Sequence, residues 1–217
     1  MTEKIGVAAR LVAAAGTEIV ARNPATGPAS IEGREAGEAA LPGLFAEIDR
    51  SAGFDAILIA CFDDTGLYEA RRRVSVPVIG IGEAAYHAAM LIADRFSVVT
   101  TLSVSIPVLE DNLRRYGLSS RCCRVRASNV PVLELERPGS SARETISDEI
   151  ASALLHDGCD AIVLGCAGMA DLAAELSARH FVPVVDGVAA AVKLAEALVT
   201  LGLTTSQAGP FSRNLAA

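Results

Sequence analysis

Two cysteines close two copies of one phrase. Residues 53–61 read Gly-Phe-Asp-Ala-Ile-Leu-Ile-Ala-Cys, and residues 158–166 read Gly-Cys-Asp-Ala-Ile-Val-Leu-Gly-Cys. Gly53, Asp55, Ala56, Ile57 and Cys61 recur at Gly158, Asp160, Ala161, Ile162 and Cys166, each displaced by 105 positions. Each copy is a turn feeding an apolar run of strand length, which puts both sulfurs where a buried strand ends. In parallel α/β sheets that end is where ligands bind. Both cysteines also precede the start of a helix. Backbone amides and the positive helix end there favour a thiolate, so each thiol is expected below the free value of about 8.5.

A thiolate on one side of a cleft and a thiol on the other form a two-base pair. One sulfur takes a proton from a carbon while the other delivers a proton to the opposite face. The charge left on that carbon needs an acceptor, and a neighbouring carbonyl held by N–H or O–H donors supplies an enolate and an oxyanion site. The chemistry this predicts is racemisation or epimerisation beside a carbonyl, with no metal and no cofactor. The competing reading is that both cysteines are small core residues. The matched positions of the pair favour chemistry.

The elements that must position these sulfurs alternate. Helices are expected over 2–14, 35–51, 64–73, 83–93, 106–116, 142–156, 169–179 and 187–201. Strands are expected over 17–22, 55–61, 76–80, 95–101, 121–127, 160–166 and 182–186. Val-Pro-Val-Ile-Gly at 76–80 matches Val-Pro-Val-Val-Asp at 182–186, so the duplication extends past the cysteine strand. Strands separated by crossover-length helices imply parallel sheets. The fold class is α/β: two pseudo-symmetric lobes, each a short parallel sheet flanked by helices, with a cleft between them. Lobe 1 is expected over 1–94 and lobe 2 over 95–186, with a C-terminal helix and tail over 187–217 returning to lobe 1. The second half opens with a strong strand from Phe96 to Thr101, whereas the first opens on a helix. Lobe 1 is therefore expected to be one strand short: either it is genuinely smaller or, as the repeat favours, its opening strand lies upstream of Met1.

Composition excludes several function classes. The chain has 217 residues, 51% hydrophobic, only 4% aromatic and without Trp, a core of Ala, Val, Leu and Ile that suits helices packed on a buried sheet. A net charge of −7 offers no basic patch to displace counterions from nucleic acid. Arg71-Arg72-Arg73 reads as a solvated helix end. No apolar run approaches the ~18 residues of a membrane span, and no signal peptide is visible, so a soluble, cytoplasmic protein is expected. Five cysteines without small-domain spacing suit free thiols. Gly80-Ile81-Gly82-Glu83-Ala84-Ala85 fits a dinucleotide fingerprint, but no acidic residue ends the next strand. Tight strand-to-helix packing explains its glycines. His87, His156 and His180 are scattered, without metal-ligand spacing.

Ala60-Cys61-Phe62-Asp63-Asp64-Thr65-Gly66-Leu67, with Leu164-Gly165-Cys166-Ala167-Gly168-Met169, resembles the hydantoin and allantoin racemases of the aspartate/glutamate racemase superfamily. The similarity runs through Asn23-Pro24, Pro28-Ala29-Ser30-Ile31-Glu32-Gly33 and the tail Leu201-Gly202-Leu203-Thr204-Thr205-Ser206. Amino-acid racemases of that superfamily show Cys-Asn-Thr and Cys-Thr-His motifs, which are absent here. The resemblance implies a cofactor-independent racemase of 5-monosubstituted hydantoins or allantoin, with Cys61 and Cys166 as acid/base catalysts. It also implies a cyclic ureide as the small-molecule partner and a homo-oligomer. Family members begin with a strand ending in an Asn-Pro-Asn-Ser/Thr loop, which this sequence lacks. Other readings are an aspartate/glutamate racemase, a maleate isomerase-like or arylmalonate decarboxylase-like enzyme, or a non-catalytic two-lobed binding protein.

The remaining candidates are binding residues. Ser30, Ile31, Glu32 and Gly33 follow a Gly/Pro-rich loop, where pockets are usually lined. The resemblance makes Ile31 the size selector of the substituent pocket. Thr100, Thr101 and Ser103 end the first strand of lobe 2 and could donate to a ring carbonyl or cap the next helix. The amides of Phe62 and Asp63 after the first cysteine, and of Ala167 and Gly168 after the second, are candidate oxyanion donors. Asp63 and Asp64 also read as helix-capping carboxylates.

Overall fold

A computed structural model describes residues 1–212. The elements in chain order are α1 (Thr2–Val12), α2 (Gly33–Asp49), β1 (Ile57–Ile59), α3 (Leu67–Arg73), β2 (Val78–Gly80), α4 (Ile81–Ile92), β3 (Phe96–Thr100), α5 (Ile106–Arg115), β4 (Cys122–Ala127), α6 (Ala142–His156), β5 (Ala161–Gly165), α7 (Ala173–His180), β6 (Val184–Val185) and α8 (Gly187–Thr200). Short 3₁₀ turns cover Ser103–Ser105, Val132–Glu136, Ala167–Leu172 and Gly209–Phe211. Residues 213–217, the end of the expected C-terminal segment, lie outside the described residues.

Two parallel sheets form, as the alternation requires. One has two strands, β1-β2, and the other four, in the order β4-β3-β5-β6. β5 is buried along its whole length, which its unbroken Ala-Ile-Val-Leu-Gly run dictates. Successive side chains point to opposite faces: Ala161 and Val163 join one apolar cluster, Ile162 and Leu164 another. In the small sheet, Ile57, Ile59 and Val78 turn to an outer cluster with Ile48, Leu67 and Ala70. Ile79 instead joins Phe62, Tyr86, Phe96, Val163 and Val188 in a core common to both sheets. Helices α4 and α8 pack on each other, and α8 also lies against α1, β1 and β2.

One expected strand does not form. Residues 17–22 run irregularly and pair with nothing in a ladder. They match 122–127 at the 105-residue displacement, and β4 at 122–127 pairs only with β3. Among the described residues the first sheet has no strand in β3's place, so 17–22 has no neighbour to pair with. A groove opens instead between Glu18–Arg22 and the free edge of β1 at Ala56–Ala60.

Candidate active site

The groove has a volume of about 680 Å³, and both Cys61 and Cys166 line it. Each sulfur follows the C-terminal end of its strand, β1 or β5, and the two turns match in detail. The Cys61 carbonyl accepts from the Asp64 amide at 3.0 Å, and the Cys166 carbonyl accepts from Met169 at 3.1 Å. In each turn the amide two residues on, Asp63 or Gly168, faces the sulfur and lowers its pKa. The duplication therefore fixes both thiols by the same local geometry, a turn closed at the third residue with the second residue's N–H left for the sulfur.

The thiols are nevertheless held above, not below, the free value. Burial pushes Cys61 up to about 12, the Asp63 carboxylate adds to this, and a 3.4 Å contact with Thr65 Oγ1 works against it. Burial pushes Cys166 up to about 11, with Asp63 again adding and the Gly168 amide and Lys4 opposing. The expectation of low-pKa thiols is corrected for a physical reason. One amide per sulfur does not offset loss of solvent in an apolar cleft that also holds a carboxylate. Lys4 reaches this region from α1, donating to the Gly168 carbonyl at 2.7 Å and pairing with Asp171 at 2.9 Å.

The two aspartates after Cys61 do different things. Asp64 takes positive φ (50°) and turns its carboxylate onto the first turn of α4. It accepts from Gly82 N at 2.9 Å, Glu83 N at 2.7 Å and the Tyr116 hydroxyl at 2.7 Å. A Cβ on Gly80 would stand 2.0 Å from Asp64 Oδ1, and one on Gly82 would stand 2.4 Å from the Phe62 carbonyl. The Gly-x-Gly motif thus leaves room for the chain's own anion at a helix N-terminus. Burial holds the Asp64 carboxyl up at about 7. Asp63 turns its carboxyl to the start of α2, where it accepts from Gly33 N, and to the Ser105 hydroxyl. Its backbone carbonyl accepts from Asn112 Nδ2 at 2.8 Å, and its carboxyl, pushed up to about 6 by burial, lines the groove.

Of the other candidates, Ser30, Ile31, Phe62, Thr101, Ala167 and Gly168 line the groove with the cysteines. Four do not. Thr100 is buried in the sheet and donates its hydroxyl to the Gly165 carbonyl at 2.9 Å. Glu32 turns away to accept from Val132 N at 2.8 Å, tying α2's start to lobe 2. Gly33 has φ +82°, and a Cβ there would meet the Val104 carbonyl at 2.9 Å, so its role is close approach of backbone. Ser103 is exposed at the start of its 3₁₀ turn. The hydroxyl that reaches the groove is Ser105, two residues on, which accepts from Gly33 N at 3.1 Å. Among the described residues no cluster of three His, Cys, Asp or Glu could hold a metal ion. No helix among them is long and apolar enough to cross a membrane.

Two matched sulfur-bearing turns across one groove between parallel sheets define a two-lobed α/β racemase fold. The chain belongs to the Asp/Glu/Hydantoin racemase family, whose model matches residues 1–195. It is 47% identical over 214 residues to the hydantoin racemase of Rhizobium meliloti, covering 98% of this chain and 89% of that protein. The solved allantoin racemase from Klebsiella pneumoniae superposes with a TM-score of 0.95 at 45% identity, covering 100% of this chain and 89% of that one. Glutamate racemase RacE1 from Bacillus anthracis shares the fold with a TM-score of 0.57 at 18% identity, over 73% of this chain and 63% of that one.

Proposed function

We propose that this chain racemises 5-monosubstituted hydantoins or allantoin without a cofactor, using Cys61 and Cys166 as paired acid/base groups. The observation that carries this is the matched placement of the two thiols on opposite lobes, lining one groove. A cyclic ureide has an acidic C–H next to a ring carbonyl, so a thiolate on one face yields an enolate that the opposite thiol reprotonates. The proton taken by the first sulfur is replaced by one given from the second, leaving the pair with its protonation reversed. The amides of Phe62 and Ala167, which the two turns do not consume, support the reading as oxyanion donors. All five cysteines are free thiols, which suits a reducing compartment.

The high thiol pKa values are consistent with slow resting ionisation and a reaction that quickens with pH. Racemisation of an enantiopure 5-substituted hydantoin and of allantoin, followed by loss of optical rotation, tests the proposal. Cys61→Ser and Cys166→Ser are each expected to cut the rate by about 10²–10⁴-fold. A wild-type rate in either variant would show that its sulfur is not a proton carrier.

A further inference from the structure

Each cysteine turn is gripped at the same backbone atom by a helix of the opposite lobe. In the Cys61 turn, the carbonyl two residues on, at Asp63, accepts from Asn112 of α5 at 2.8 Å. In the Cys166 turn, the carbonyl two residues on, at Gly168, accepts from Lys4 of α1 at 2.7 Å. One grip is a neutral amide and the other an ammonium. Lys4 also donates to the Leu135 carbonyl at 3.4 Å and pairs with Asp171 at 2.9 Å, so all its ammonium protons have an acceptor. Gly168 gives its carbonyl to this ammonium and turns its N–H to the Cys166 sulfur. The residue that matches Lys4 at the 105-residue displacement is Leu109, which is apolar and fully buried. The charge is therefore a feature of one side only.

We infer that Lys4 is a positioning residue that makes Cys166, and not Cys61, the resting thiolate of the pair. This rests on the reading above that the two thiols are the acid/base groups, and it deepens that reading by assigning the starting base. An opposite charge nearby favours the ionised form of a thiol, and a like charge opposes it. The charged groups facing Cys166 are Lys4 from α1, Asp63 from the Cys61 turn and Glu32 ahead of α2. Asp171 on its own turn is paired to Lys4, and Asp186 at the end of β6 acts on Asp171. The charges acting on Cys61 are the Asp63 and Asp64 carboxylates, with the neutral Thr65 hydroxyl at 3.4 Å. Burial raises both thiols, Cys61 up to about 12 and Cys166 up to about 11, which agrees in order. The resting Cys166 thiolate takes the C5 proton and the Cys61 thiol gives its own to the opposite face. That turnover leaves Cys166 protonated and Cys61 ionised, and transfer of a proton from Cys166 to Cys61 through solvent restores the resting pair.

Two enantiomers have equal free energy, so wild-type kcat/KM is the same for both and hides which sulfur rests ionised. Site-resolved alkylation shows it directly. The protein is pulsed with iodoacetamide at pH 9, and labelling at Cys61 and at Cys166 is followed by tandem mass spectrometry, apart from that at Cys122, Cys123 and Cys159. Lys4→Met is expected to slow alkylation of Cys166 about tenfold, the effect of one pKa unit, and to leave Cys61 within about twofold. Lys4→Arg keeps the charge and should hold Cys166 within about threefold of wild type. Lys4→Gln keeps a donor for the Gly168 carbonyl without the charge and should match Lys4→Met. Deuterium exchange at C5 gives a second readout in the single-cysteine variants. Lys4→Met should cut the exchange driven by Cys166 in Cys61→Ala about tenfold, and leave that driven by Cys61 in Cys166→Ala within about twofold. A loosened fold would slow both sulfurs together, which the paired readout detects. Unchanged Cys166 alkylation in Lys4→Met, equal slowing of both cysteines, or a wild-type rate in Lys4→Gln would overturn the inference. Lys4-dependent alkylation of Cys166 in a protein that racemises no ureide would uphold the assignment of the thiolate and strike the catalytic proposal alone.

Discussion

The helices that follow the outer strands of the two sheets are capped differently. α8 is capped locally: Asp186, at the end of β6, accepts from Val188 N at 3.0 Å and Ala189 N at 2.8 Å. α4 holds the matching place after β2, but the residue there is Gly80, and the cap arrives from Asp64 in the Cys61 turn. In lobe 2 the cap and the cysteine turn are therefore independent. The Cys166 turn is fastened from outside, by Lys4 of α1 on the Gly168 carbonyl at 2.7 Å. In lobe 1 one loop holds the sulfur, the groove carboxylate of Asp63 and the cap for the next helix. The duplicated architecture gives each lobe a thiol in the same turn, and the divergence lies in what holds that turn still.

The largest expected consequence is at Asp64. Asp64→Ala strands two helix N–H groups and the Tyr116 hydroxyl. It is expected to lower stability by about 2–4 kcal/mol, since several donors lose their partner at once. Racemisation should fall with it, because the Cys61 turn loses its anchor. Asp186→Ala, measured alongside by urea unfolding, should cost only about 1 kcal/mol and leave kcat near wild type. Equal losses of stability and rate in the two variants would break the contrast between the lobes.

A smaller effect follows from protonation. Asp64 and Asp63 are held at about 7 and about 6, above the ordinary carboxyl value of 3.8. The folded state therefore binds these protons more tightly than the unfolded chain. Their contribution to stability is full below about pH 4 and is lost as pH rises through 6 and 7. Asp63→Asn removes one of the two titrations, so its unfolding free energy should decline less between pH 5 and pH 8 than that of the wild type. Urea midpoints across that range give the comparison, and an unchanged decline would show that Asp63 is not held protonated by burial.

The sequence carried the paired sulfurs plainly, because a repeat of fixed displacement must bring equivalent strand ends to equivalent places. It carried the parallel sheets for the same reason, each β5-like run being too apolar to face water. It did not carry what depends on contacts distant in the chain. Asp64 read as a local cap and instead caps a helix 18 residues away, and the signal for that was the Gly80-x-Gly82 spacing, a cradle for an anion with its anion elsewhere. Residues 17–22 have strand composition, but a ladder needs a neighbour, and β1's edge faces a groove. The thiol pKa values went the other way from expectation because a motif shows the nearby amides and hides the burial. Ser103 and Ser105 differ only in which side of a single 3₁₀ turn they occupy.

The central claim is that two sulfurs serve opposite faces of one carbon, and deuterium exchange at C5 tests it most directly. Each enantiomer of a 5-substituted hydantoin is incubated separately in heavy water with the wild type, Cys61→Ala and Cys166→Ala, then recovered and its C5 isotope content read. The two-base account predicts that the wild type places deuterium in the inverted product. Each variant should cease to interconvert the enantiomers and exchange one of them only, with opposite preference in the two variants. Exchange of both enantiomers by either variant, or of the same enantiomer by both, would contradict it.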